Sequence, residues 1–160
     1  MMVLGFDPGS SHTGWCAIDV RGGGTLPVEA TYFDAGTVPS ACGDVALLLR
    51  RYPEVVAVEK LAGYAFGAGK GPGVVAGLVA SSWVAGLISA LAWSEGLATE
   101  EMTAMEWRKR VLGKPSASDQ QIAVAIPAAI HGWPKRSNVH VRDAAGVALA
   151  VAMKLNGRKP

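Results

Sequence analysis

The chain has few charged residues and only two cysteines, and both shortages restrict what it can be. Of its 160 residues, 18% are charged and 50% are hydrophobic, which excludes an intrinsically disordered protein and suffices for one domain with a full core. Cys16 and Cys42 lack the paired spacing of a structural zinc site or a disulfide framework, which is typical of a reducing compartment. No basic segment precedes the first apolar run, so we predict no signal peptide and expect a cytoplasmic protein, in a bacterium or a phage-infected host.

Residues 71–94 contain no charged side chain, and this length is roughly enough to span a bilayer. The segment is rich in Gly, Ala and Ser, its larger aliphatic residues are interspersed, and only Lys70 lies close as a flanking cation. We therefore rank a buried helix of a soluble protein above a membrane span, and we expect no membrane partner.

The net charge of +2 is too small to indicate a partner, but the charges are unevenly distributed along the chain. Up to Ala104 there are 5 Lys/Arg against 10 Asp/Glu, and from Met105 onward there are 10 against 3. An acidic first part and a basic last part are typical of a metal-dependent enzyme that acts on a polyanion. The alternative is a C-terminal surface that basic residues merely solvate.

The first acid of interest follows a short apolar run. Residues 3–6 are typical of a strand that leads directly to Asp7. Pro8 has a fixed φ and Gly9 can take a positive one, so the chain turns there, and residues 13–20 are predicted to return as a second strand. An ionised acid at this point needs a partner, for which a metal ion is a good candidate.

A second acid ends a later apolar run. Residues 28–35 are predicted to add a third antiparallel strand, and residues 38–51 a helix. The continuous apolar run at 54–59, which ends in Glu59, is typical of a buried parallel strand. A strand–helix–strand connection places this strand parallel to the first one.

The remaining chain is predicted to be mostly helical, without an internal repeat. We expect a single domain over residues 1–156 and a short basic tail at 157–160. The expected elements are a long helix over about 73–95, a short strand at 97–102, and helices at 104–112, 119–130 and 139–155.

The last of these helices begins with His140 and Asp143, which share one helical face because they are three residues apart. Small residues follow them and allow the helix to lie close against a sheet. His140 and Asp143 are therefore predicted to meet Asp7 and Glu59 at the strand ends. Each residue alone has an ordinary explanation, as a turn, a cap or a helix-dipole partner.

The chemical reason for such a cluster is repulsion between carboxylates. Several of them cannot all stay ionised at close range unless divalent cations neutralise them. Oxygen ligands favour Mg²⁺ or Mn²⁺, and the softer imidazole of His140 shifts the preference towards Mn²⁺. Two such ions about 4 Å apart activate an attacking water and stabilise the leaving oxygen of a phosphodiester.

Three stretches resemble one known family, the RuvC family of Holliday junction resolvases. GFDPGSSHTGW at 5–15 is similar to its opening strand and turn, VAVEK at 56–60 to its second acidic strand, and HVRDAAGVALA at 140–150 to its closing helix. Their order and spacing cover almost the whole chain. The resemblance implies an RNase H-like α/β fold with a mixed five-stranded sheet, in which an antiparallel meander joins parallel strands and helices flank the sheet. The short chain and its divergent central loop hint at a phage member, and a bacterial origin stays open.

The resemblance also implies roles for individual residues. The catalytic metal ligands would be Asp7, Glu59, His140 and Asp143, holding two Mg²⁺ or Mn²⁺ ions, and the helix around 73–95 would form a homodimer interface. An aromatic residue of the loop after Glu59 would stack in the junction, with Tyr64 and Phe66 both open as candidates or as ordinary loop packing. The candidate DNA contacts are Tyr64, Phe66, Lys70, Arg108, Lys109, Arg110, Lys114, Lys135, Arg136 and Arg142.

The resemblance therefore implies an endonuclease that resolves four-way DNA junctions by paired nicks. A related nuclease of looser specificity, acting on other branched DNA or on RNA/DNA hybrids, and a junction-binding module that does not cut are the alternatives. An actin-like ATPase also begins with an acid and a glycine-rich hairpin, but it needs two large halves to enclose ATP, for which 160 residues are too few. We expect no nucleotide cofactor.

Overall fold

The computed structural model describes residues 1–20, 26–34, 38–51, 54–61, 72–134 and 137–157. The described chain starts with a three-stranded meander, strands and helices then alternate, and three consecutive helices follow the last strand. In chain order they are β1 (Met2–Asp7), β2 (His12–Asp19), β3 (Leu26–Asp34), α1 (Val38–Arg51), β4 (Val55–Lys60), α2 (Pro72–Ser94), β5 (Ala98–Thr103), α3 (Ala104–Leu112), α4 (Asp119–Ala129) and α5 (Val139–Leu155).

The strands form one mixed sheet in the order β3-β2-β1-β4-β5. β1 pairs with β2, and β2 with β3, in antiparallel fashion, whereas β4 is parallel to both β1 and β5. The chain passes from β3 to β4 through α1 and from β4 to β5 through α2, and such crossovers allow β4 to lie parallel to its neighbours. The predicted mixed sheet flanked by helices is confirmed, and so is the parallel pairing of the first strand with the strand that carries Glu59.

Some strand boundaries differ slightly from the prediction. β3 begins at Leu26 rather than two residues later, since Leu26 and Pro27 already pair with β2 across an irregularity between Ala17 and Ile18. Pro27 lacks an N–H, and its strand lies at the edge of the sheet, where the missing donor is tolerated.

Helices cover both faces of the sheet, because alternate residues of each central strand point in opposite directions. Val3 of β1 packs on the face covered by α5, together with Trp107 of α3 and Ile122 of α4. Leu4 packs on the opposite face, where Val45 and Leu49 of α1 meet Ile88 of α2. β1 is thus buried on both sides and is the centre of the molecule.

α2 is only partly covered by the rest of the chain. Val84, Ile88 and Ala92 lie at the sheet, but Trp83 and Trp93 are largely exposed. By length and composition alone the stretch Val74–Ser94 is apolar enough to cross a membrane, with a mean hydropathy of 2.0, and 11% of it is buried. The prediction of a buried helix is therefore wrong for most of this surface, because only one narrow side of α2 faces the sheet.

Candidate active site

Two acids lie side by side at one edge of the sheet. Asp7 is the last residue of β1, and Glu59 is the penultimate residue of β4. Phe6 pairs with Val58 in the parallel register of the two strands, so the acids that follow them leave the sheet at the same level. The sequence prediction that these strand ends meet is confirmed by this pairing.

α5 brings His140 and Asp143 to the same edge by lying unusually close to the sheet. A Cβ on Gly5 of β1 would overlap the backbone carbonyl of Ala144, and one on Gly14 of β2 would overlap the backbone of His140. Both strand positions therefore need glycine for the helix to approach. The close approach was predicted from the small residues of α5, and these two sheet glycines complete it.

The beginning of α5 is fixed by its own cap. The Asn138 side chain accepts a hydrogen bond from the Val141 N–H, which satisfies one of the free donors of the first turn. Asp143 follows one turn later and is 8% exposed, the lowest exposure of any charged residue in the part of the chain whose side chains are described.

Each acid is engaged by a different donor. Asp7 Oδ2 and His140 Nδ1 share a hydrogen bond of 2.7 Å. The fully buried Trp107 donates its Nε1–H to Glu59 Oε2 at 2.7 Å. An Arg108 nitrogen lies 3.7 Å from Asp143 Oδ2, too far for a short hydrogen bond but close enough for ionic attraction.

The donors Trp107 and Arg108 both lie on α3, which begins directly where β5 ends. Thr103 pairs with Lys60 of β4 and is also the N-cap of α3, where it forms a capping box with Glu106. The absence of a connecting loop fixes the first turn of α3 beside the strand end that carries Glu59. Trp107 and Arg108 are therefore placed at the site by secondary structure.

Burial and mutual repulsion oppose ionisation of two of the acids. Burial, followed by the charges of Asp7 and Asp143, raises the pKa of Glu59 to about 8, against the weaker opposing effects of Trp107 and Arg108. The pKa of Asp143 is raised to about 7, chiefly by burial and then by Asp7. The hydrogen bond with Asp7 raises the pKa of His140. The site thus holds more negative charge than its donors neutralise.

The excess of negative charge at the site suits a divalent cation. The Asp143 Oδ1 atom is buried and has no hydrogen-bond partner, and the available ligands are mainly carboxylate oxygens. Within the described ranges, no three His, Cys, Asp or Glu side chains are already arranged to hold one ion. Each acid instead contacts its own donor, His140, Trp107 or Arg108. The assignment of four metal ligands stays a prediction.

The described basic candidates lie on α3, on the loop after it and at the start of α5. Lys109 and Lys114 are exposed, whereas Arg110 and Arg142 are half-buried. Arg142 lines a surface cavity together with Trp133 and Ser137. Of these described basic residues, Arg108 alone is placed next to an acid of the site, and the DNA roles of all of them stay predictions.

The other predicted DNA contacts lie outside the described residues. They are Tyr64, Phe66, Lys70, Lys135 and Arg136.

Sequence reasoning missed Trp107 as a member of the site. The available signal was a tryptophan one residue before the basic cluster at 108–110 in a predicted short helix. A buried indole N–H normally finds a hydrogen-bond partner, so a buried tryptophan near predicted acids is a candidate contact. Its direction depends on how α3 packs, which the sequence pattern does not contain.

Comparisons with known proteins agree with this architecture. No family model matches the chain. The crossover junction endodeoxyribonuclease RuvC of Pelodictyon phaeoclathratiforme is 27% identical over 168 aligned residues, which cover 100% of this chain and 84% of the relative. A solved structure of RuvC from Thermus thermophilus superposes with a TM-score of 0.77 and 22% identity, covering 99% of this chain and 98% of that one. The T. thermophilus RuvC in complex with a Holliday junction substrate gives a TM-score of 0.80 and 21% identity, covering 100% and 99%.

The sheet order and the likeness to these structures show an RNase H-like α/β fold, with acids at the ends of two adjacent strands and on the last helix. Within that class, the similarity to a curated relative extends over the whole chain. The chain is thus similar to RuvC proteins in sequence over its full length and in fold.

Proposed function

We propose that this protein is a metal-dependent endonuclease that resolves four-way DNA junctions. The observation that carries the proposal is the meeting of Asp7, Glu59 and Asp143, from three separate elements, in a fold shared with a RuvC bound to a Holliday junction. The curated relative is a crossover junction endodeoxyribonuclease, which is the same activity. Substrate DNA in a bacterial or phage-infected cell implies action in the cytoplasm.

The residues suited to hold the metal are Asp7, Glu59 and Asp143, with His140 beside them. Two Mg²⁺ or Mn²⁺ ions bound there would supply an activated water and neutralise charge on the cleaved phosphodiester. His140 holds Asp7 in place through their 2.7 Å hydrogen bond. The buried Oδ1 of Asp143, which has no hydrogen-bond partner, provides an oxygen that is free to bind a cation.

Arg108 is suited to bind the phosphate that is cleaved. Its contact with Asp143 is long, and its side chain is 22% exposed, so it can turn towards a phosphate without leaving the site. A guanidinium there stabilises the negative charge that develops on phosphate oxygens during hydrolysis. Lys109, Arg110, Lys114 and Arg142 would extend this basic surface along the DNA backbone, a contact that is independent of sequence.

A homodimer explains the exposed side of α2. Val75, Val79, Trp83, Gly86 and Ala90 are exposed and recur at helical spacing, so they form one apolar stripe. We refer to these five residues as the α2 stripe. Pairing of two α2 stripes would place two active sites at a fixed separation, as paired nicks across a junction require.

The decisive experiment is cleavage of a mobile four-way junction beside a linear duplex, a flap and an RNA/DNA hybrid. Each substrate is incubated with Mg²⁺ and with Mn²⁺, and the products are resolved on denaturing gels. We expect paired nicks in the junction that leave 5′-phosphate ends, with little cutting of the linear duplex. Comparable cutting of all branched or hybrid substrates would indicate a nuclease of looser specificity.

The matched variant is Asp7→Asn, which keeps the size of the side chain and removes its charge. We expect this variant to bind the junction with nearly unchanged affinity in a gel-shift assay and to lose cleavage, because a neutral amide is a poor ligand for Mg²⁺. Wild-type binding without nicking in any metal would instead support a module that recognises junctions without cutting them. Cleavage by Asp7→Asn would show that the site is assigned wrongly.

A further inference from the structure

Trp107 contacts a candidate metal ligand, yet the proposed function gives it no role. Its ring is fully buried, and its Nε1–H is 2.7 Å from Glu59 Oε2. Among the described carboxylates of the site, Glu59 is the one that accepts a hydrogen bond from an indole N–H. The indole N–H can donate but cannot accept, so it neither coordinates a cation nor neutralises the carboxylate by charge.

Packing holds the donor in a fixed direction. A Cβ on Gly146 of α5 would overlap the six-membered ring of Trp107, so the indole occupies the space that this glycine leaves open. The capping box at Thr103 fixes the start of α3 at the end of β5, four residues before Trp107. The donor is therefore set in place by α5 on one side and by the sheet on the other.

A short hydrogen bond to one oxygen restricts rotation of the Glu59 carboxylate. A carboxylate has about four lone-pair directions, so one donor leaves capacity for a cation while choosing which way the group faces. We propose that Trp107 is a positioning residue that orients Glu59 for cation binding, an inference that rests on the metal-dependent function proposed above. We do not assign Arg108 the same role towards Asp143, because their contact is longer than that between Trp107 and Glu59 and the Arg108 side chain is partly exposed.

The test is Trp107→Phe, which keeps an aromatic ring in the core and removes the N–H donor together with one ring of the indole. Mn²⁺ binding to the full-length protein without DNA is measured by electron paramagnetic resonance. We expect affinity for Mn²⁺ to fall by about 10–100-fold, as for other groups that hold metal ligands in place. Junction binding in Ca²⁺ should stay close to that of the wild type, since Trp107 is buried and does not reach DNA.

The matched control is Trp133→Phe, which removes an indole N–H that donates to Ser137 Oγ at 3.1 Å. This variant should bind Mn²⁺ like the wild type. Wild-type affinity in Trp107→Phe, or an equal loss in Trp133→Phe, would overturn the proposal. A wild-type protein that neither binds Mn²⁺ nor cuts junctions would refute the proposed function as well, whereas normal wild-type behaviour with an unaffected Trp107→Phe refutes only the role of Trp107.

A second measurement uses the wild-type protein, in case Trp107→Phe does not fold. The indole ¹⁵N–¹H resonances are assigned by triple-resonance NMR and followed during titration with Mg²⁺. We expect the Trp107 resonance to shift strongly and the Trp133 resonance to move little. An unmoved Trp107 resonance at saturating Mg²⁺ would also overturn the proposal.

Discussion

Glu59 and Asp143 are acids whose ionisation opposes folding when no cation is bound. Their pKa values in the folded protein, about 8 and about 7, lie above the usual values of 4.5 and 3.8. A raised pKa means that the folded state binds protons more tightly than the unfolded state. The stabilising contribution is therefore complete below the unfolded values and is lost as pH rises through the folded ones.

We predict that the melting temperature of the metal-free protein in EDTA falls between about pH 5 and about pH 8.5, and that Glu59→Gln reduces this fall. Glutamine can still accept the hydrogen bond from Trp107 and carries no charge at any pH. His140, whose pKa is also raised, adds to the fall in both proteins, so the difference between them isolates Glu59. Thermal unfolding followed by circular dichroism at matched pH values measures the effect.

Saturating Mg²⁺ provides the control for this prediction. It should raise the melting temperature of the wild type more at the high-pH end than at the low-pH end, because only ionised carboxylates bind the cation. Identical pH slopes in wild type and Glu59→Gln would contradict a strongly raised pKa at Glu59.

His140 is the residue at which metal preference should be adjustable. An imidazole is softer than a carboxylate and favours Mn²⁺ relative to Mg²⁺. We predict that His140→Asp retains cleavage and lowers the ratio of the Mn²⁺ rate to the Mg²⁺ rate by a few-fold. Initial cleavage rates on one junction substrate in each metal measure the ratio.

His131→Asp is the matched control, since His131 is exposed and outside the site. It should leave the ratio unchanged. An unchanged ratio in His140→Asp as well would mean that His140 supports Asp7 without touching the metal.

At the scale of elements, the docking of α5 on the sheet decides whether the site forms. We predict that Gly5→Ala lowers the free energy of unfolding by about 1–3 kcal/mol, because the added methyl overlaps the Ala144 carbonyl and forces the helix away. Cleavage should fall further than stability alone explains, since Asp143 moves with the helix. Urea unfolding and junction cleavage are measured on the same preparations.

Gly43→Ala is the matched control, because an added Cβ there meets nothing within 4 Å in the middle of α1. That change should raise stability by about 0.5–1 kcal/mol, as alanine is the better helix former. Equal effects of the two substitutions would mean that α5 does not lie as close to β1 as the structure shows.

The elements themselves were predictable to different degrees. Short apolar runs and turn residues indicate β1 and β4 directly, and the strand–helix–strand connection before β4 predicts that the two lie parallel. His140 and Asp143 are visible because helical spacing places them on one face. The roles of Gly5 and Trp107 were not visible, because each depends on which surface of a neighbouring element it meets.

At the scale of the whole molecule, the exposed apolar side of α2 is the surface through which we propose that two chains pair. The proposed paired cuts depend on that pairing. Trp83 is 70% exposed at the middle of the α2 stripe, and an exposed apolar surface of this kind typically marks a protein interface. An uncharged, weakly amphipathic helix cannot be assigned from its sequence alone to a core, a membrane or a partner. The structure shows that the isolated chain leaves most of it uncovered.

We predict that the wild type is a dimer and that Trp83→Glu is a monomer, because a buried, unpaired carboxylate at a dimer interface is strongly unfavourable. Light scattering coupled to size-exclusion chromatography measures the assembly state. A supercoiled plasmid with an extruded cruciform measures the consequence. Paired nicks within one binding event give linear plasmid, whereas the monomeric variant should give mainly nicked circles.

Val124→Glu, which changes a 69% exposed valine on α4, should leave both results unchanged. A Trp83→Glu protein that remains dimeric and still linearises the plasmid would place the interface elsewhere on the molecule.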